Sequence, residues 1–200
     1  MLTHYGESEV AGELIGGAIG GCNTRTEAGM VIAGYSHLAG AINDARKLSC
    51  SGAMEHITAA SEFAARTGET DLYMTSFGPL NVQFHRHAIE LESGDPHRAA
   101  IEGAQPSIPA SHSALNRAGH HWQDNARAWL LSGKPDRALA ALNKARAAAP
   151  QQTRLHPSVR ETLNGIAAAE KRRPRLSLGG AKPPGGYSEV LLVGVGIGTL

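Results

Sequence analysis

The sequence predicts an all-α chain of antiparallel helix hairpins, and three observations predict it. Apolar residues recur at helical spacing through residues 27–172. Glycines and prolines punctuate that pattern where turns and first helical positions belong. Strand-like alternation is confined to Glu189 to Val195. Because only 4% of residues are aromatic, Ala, Leu, Ile and Val must supply most of the core.

The elements follow in order. Residues 1–26 carry Gly16, Gly17, Gly20 and Gly21 and read as weakly ordered, since glycine costs helix and strand alike. Val31, Tyr35, Leu38 and Ile42 form the stripe of a first helix, and Gly52 interrupts. Ile57, Ala60 and Ala64 continue the pattern up to Gly68. Pro79 opens a helix with Leu80, Phe84, Ala88 and Leu91, stopped by Gly94. Asp95 and Pro96 are an N-cap and first-turn pair for a short helix with Ala99, Ala100 and Ala104. Ser111 caps a longer helix holding Leu115, Trp122, Ala126 and Trp129, ended by Gly133. Pro135 starts the next, with Ala138, Leu142, Ala145 and Ala149, closed by Pro150. A last helix starts near Pro157 and carries Val159, Leu163 and Ile166. Residues 173–200 are a Pro/Gly-rich tail ending in a short apolar run. Each hairpin leaves an apolar face uncovered, so the hairpins must stack.

Composition narrows the function. The net charge of +1 offers no field for nucleic-acid binding by the whole chain. Cys22 and Cys50 have no zinc-type spacing and read as thiols of a reducing cytoplasm. Neither a signal peptide nor a stretch long enough to span a bilayer is evident, which predicts a cytoplasmic protein without membrane attachment. On a helix, His85 and His87 diverge by about 200° and His120 and His121 by about 100°, and no HExxH occurs, so no metal site is expected. Gly194, Gly196 and Gly198 lack the following helix a dinucleotide loop requires. No serine lies in GxSxG, and Cys50 is expected at a helix C-terminus that disfavours a thiolate. The chain is therefore expected to be neither an enzyme nor a cofactor carrier. Lys171, Arg172, Arg173 and Arg175 complement the dipole of the last helix.

The order Trp122, Ala126, Trp129, Gly133, Ala138, Leu142, Ala145, Pro150 resembles the tetratricopeptide repeat, a unit of roughly 34 residues. It implies a short superhelix with a concave groove, lined on the first helix by His120, Gln123 and Arg127, with Asn81 and His85 at related places in the preceding hairpin. Arg can fork onto a carboxylate, Gln can hold a peptide amide and His can bridge either. More narrowly, Phe77-Gly78-Pro79 with Asn81, His85 and Arg86, then Glu90, Gly94-Asp95, and finally His156-Pro157 with Val159 and Arg160, resembles the C-terminal region of bacterial transcription regulators with an N-terminal XRE-type helix-turn-helix domain. The resemblance covers residues 27–172. It implies sensing of a peptide or protein in the groove, with a second copy or a full-length regulator as further partners. The 26 residues before the repeats are too few and too Gly-rich for a helix-turn-helix domain, so direct DNA binding is not expected of this chain. The alternative is a repeat scaffold with no role in transcription.

Overall fold

The structure, a computed structural model, describes residues 7–92, 94–108 and 112–172. It is all-α. Among the described residues the helices are α1 (Ser8–Gly20), α2 (Glu27–Arg46), α3 (Cys50–Thr67), α4 (Pro79–Glu92), α5 (Pro96–Glu102), α6 (His112–Leu131), α7 (Pro135–Ala148), α8 (Pro150–Leu155) and α9 (Pro157–Arg172). The extended pairing found among them is one isolated bridge, Thr70 with Phe77. The predicted cap at Ser111, the tail and the Glu189 to Val195 run lie outside the described residues, as do Arg173 and Arg175.

Local chemistry sets most boundaries. Thr26 accepts the Gly29 N–H and Asp95 accepts the Arg98 N–H, each capping the helix that follows. Gly133 ends α6 at φ 71°, and its N–H and that of Lys134 reach the carbonyls of Leu130 and Trp129, the paired closure of a left-handed C-terminal turn. Alanine there carries a side chain in left-handed backbone, so Gly133→Ala should lower stability by about 1 kcal/mol in urea denaturation; no change would separate the glycine from the turn.

Three expectations change. The break after the first helix falls at residues 47–49, where Leu48 adopts φ 61°, and Gly52 lies inside α3. A Cβ on Gly52 would stand 2.5 Å from the Asp44 carboxylate, so the glycine permits close packing of α2 on α3. Cys50 consequently opens α3 and does not follow α2, which removes the argument from a helix C-terminus. The glycine-rich start is helical as α1, and Asn43 of α2 donates to the Ser8 carbonyl (3.0 Å). Pro150 closes α7 and at once opens the short α8, which the apolar pattern did not mark.

The hairpins run antiparallel. Gly40 lies against His56 and Gly52 against Asp44, so α2 and α3 pair in opposite directions. Across the next long hairpin, Arg137 covers the Trp129 ring (4.6 Å) and Lys144 the Trp122 ring (4.1 Å). Both tryptophans are buried, with Ala126, Ala138, Leu142 and Ala145 packed where the large and small positions predict. The stripe on α2 differs. Tyr35 is 39% exposed, and the buried side runs through Val31, Gly34, Leu38 and Ala41. Small residues win there because Phe77 presses its ring onto Gly34.

Helices α2, α4 and α6 lie side by side in one direction. Arg117 meets Asn81 near their starts, His121 stacks on Phe84 midway (4.4 Å), and Arg127 reaches Glu92 near their ends. Helix α3 packs against α2 and α4, α5 against α4 and α6, and α7 against α6 and the two short-linked helices that follow it, α8 and α9. No described helix is long and apolar enough to cross a membrane.

Candidate functional site: a groove across three helices

Where α2 and α4 end, the row opens into a groove of about 490 Å³. Ile42, Ala45, Arg46 and Leu48 form one wall, Ala88, Leu91 and Glu92 the other, and Asp124 of α6 closes it. Leu48 is 85% exposed and in left-handed backbone, a conformation that costs a residue with a side chain free energy.

Charge is arranged unevenly here. Arg127 donates to Glu92 at 2.6 Å, and that contact, with the neighbouring Asp124 and Glu161, holds its guanidinium more firmly protonated than usual. Asp124 makes no hydrogen bond or ion pair among the described residues. Loss of water pushes its carboxyl up to about 6; Glu92 adds to the rise and Arg127 opposes it.

The five residues singled out from sequence fall into three sets. Asn81 is buried, accepting from Arg117 Nη1 (3.1 Å), and its carbonyl accepts the Nδ1–H of His85 (2.9 Å). Arg117 also donates to the Thr75 carbonyl and lies over the Tyr35 ring at 5.8 Å. His120 receives the Gln152 amide and packs against His156 (5.4 Å). Gln123 is buried and donates to Thr153 of α8 (3.4 Å). Asn81 and Gln123 thus join helices to one another and are not open to a groove, because α6 packs on Asn81 of α4 and α8 packs on Gln123 of α6. Arg127 alone of the five stands beside the groove, through Glu92.

Sequence reasoning missed the rest. Asp124 was within reach, since it lies three residues before Arg127 on the same helical face. Glu92, Leu48 and Ile42 carry no local signal and meet only through packing.

A second polar group is buried under the row. His87 and His121 face each other at 4.9 Å, and His121 Nε2 donates to the Gly103 carbonyl at 2.7 Å. Both His87 ring nitrogens and His121 Nδ1 lack a partner. Among the described residues no three His, Cys, Asp or Glu side chains converge to hold a metal ion. The groove that meets solvent thus combines aliphatic side chains with Arg46, Asp124 and the Glu92–Arg127 ion pair. Compared with known proteins, the chain matches no family model, no curated protein and no solved structure.

Proposed function

We propose that this chain is a tetratricopeptide-like interaction region that holds a peptide or protein partner in the groove between α2, α4 and α6, without catalysis, in the cytoplasm. The observation that carries this role is an open groove, part aliphatic and part charged, whose rim is an exposed leucine in left-handed backbone. An exposed apolar side chain held in a costly conformation gains nothing for the isolated fold, whereas a partner can bury it. The resemblance of Phe77 to Asn81 and of His156 to Arg160 to XRE-type regulators supports a sensing part in transcription, with a full-length regulator or a second copy as further partners. A repeat scaffold outside transcription is the alternative.

The test is capture of polypeptides from a native lysate on the immobilised chain, beside Leu48→Asn. Asparagine tolerates left-handed backbone better than leucine, so the variant keeps its fold while losing the apolar rim without adding charge. Proteins retained by the natural chain and lost by Leu48→Asn support the role, and a DNA-binding regulator among them separates regulation from scaffolding. Arg127→Ala should weaken the captured partner on the order of tenfold by calorimetry with helicity unchanged. Identical capture by both chains would remove the groove from partner binding.

A further inference from the structure

Three features set the groove apart from a plain apolar cleft. First, α2 ends at Arg46 and α4 at Glu92, both in its walls, so the groove is lined by charge as well as by apolar surface. Second, Asp124 is the acid left over. Arg127, its nearest cation, is committed to Glu92, and Arg46 stands in the opposite wall with an interaction of its own. Third, Ile42, Ala45 and Ala88 lie in the same walls, with Leu48 at the rim. A cation that reached Asp124 would also cover apolar surface.

We propose that the groove selects a polypeptide segment with a lysine or arginine next to an aliphatic side chain, the cation seated on Asp124 and the aliphatic group on Ile42, Ala45 and Leu48. The specificity rests on the binding role proposed above and adds its chemistry. A neutral peptide leaves the half-buried Asp124 carboxylate without a cation, and an acidic one meets Asp124 and Glu92 with like charge. A basic side chain answers each of these at once. Its methylene stem suits the walls, since long cationic side chains cover apolar surface while their heads reach an acid. The elevated carboxyl of Asp124 points the same way, because an added cation favours the charged form that burial penalises.

The test is an array of random octapeptides whose fourth position is Lys, Arg, Gln or Glu, probed with the full chain, Asp124→Asn and Leu48→Asn. Asparagine keeps the shape at 124 and removes a desolvated charge, so the thermal midpoint should hold or rise, which checks folding. The natural chain should retain Lys and Arg peptides with Leu, Ile or Val beside the cation about tenfold over their Gln counterparts, the ratio that one paired charge supplies. Asp124→Asn should bring that ratio to about one with the aliphatic preference intact. Peptide retention with no basic preference, or a preference that survives Asp124→Asn, overturns the proposed specificity while leaving groove binding in place. Retention that is equal for the natural chain and Leu48→Asn takes the binding role itself away.

Discussion

Truncating Phe77 to alanine should cost about 3–5 kcal/mol, a large share of the stability of a domain this size. Phe77 is fully buried although it lies in the connection before α4. Its carbonyl accepts the Thr70 N–H (2.8 Å), which closes the loop from Gly68 to Gly78. The ring enters the cluster of Val31, Leu38, Ile57 and Ile89, and its tip occupies the space a side chain at Gly34 would need. Alanine at 77 loses the ring's transfer free energy and leaves a hole between α2, α3 and α4. The same contact predicts an inversion. Gly→Ala inside a helix ordinarily gains up to about 1 kcal/mol; Gly34→Ala should instead lose about 1–3 kcal/mol, because the ring has no room to retreat. Combined with Phe77→Leu, whose side chain is shorter, its cost should fall below the sum of the two singles. Urea denaturation of the four proteins checks all of this, and Phe77→Ala within 1 kcal/mol of the natural chain would show the contact carries little.

Lowering the pH from 7 towards 4 should remove a comparable amount through His87 and His121. The two rings are 3% and 2% exposed, packed on each other and on Phe84 and Trp122. Burial holds both at about 4; the nearby Ala99 carbonyl and then Glu102 oppose the fall at His87, while at His121 the charges of His87 and Lys144 add to it and the Gly103 carbonyl opposes it. Unfolded histidine titrates near 6.5. Below that value the unfolded chain takes up protons that the folded chain refuses, so unfolding gains. The contribution is whole above about pH 6.5 and shrinks as pH falls to about 4, by up to about 3 kcal/mol for each ring at the outer limit. His37, His85 and His120 are lowered too and act in the same direction. Asp124 acts oppositely, since its raised carboxyl lets the folded chain bind a proton first. Urea midpoints at pH 7, 6 and 5 should therefore fall together, and His87→Leu should flatten the slope. An equal slope in His87→Leu would place the titration elsewhere.

The hairpin from Gly119 to Pro150 was legible because each of its signals is local. Gly133 supplies a conformation other residues resist, Trp122 and Trp129 demand burial, and Ala126, Ala138 and Ala145 allow two helices to touch. The start of α5 was equally plain, since the Asp95 carboxylate reaches an N–H only three residues on. The first hairpin was harder. Gly52 resembled a break in the pattern, yet it serves a contact with Asp44, while the turn uses Leu48, a residue no turn rule selects.

The candidate site divides the same way. Arg127 stood out from its place on a repeat helix, but its partner Glu92 is 35 residues away, and Arg117 joins Asn81 and Thr75 across 36 and 42. By itself the sequence determined helix class, the main turns and caps, and the large and small positions of one hairpin, because those depend on neighbours within a few residues. Only the tertiary structure decided that Asn81 and Gln123 are buried, that His87 faces His121, and that Asp124 is left unpaired in a groove. Those outcomes depend on how three parallel helices pack, and burial and pairing are properties of the packed surface, which no single helix carries.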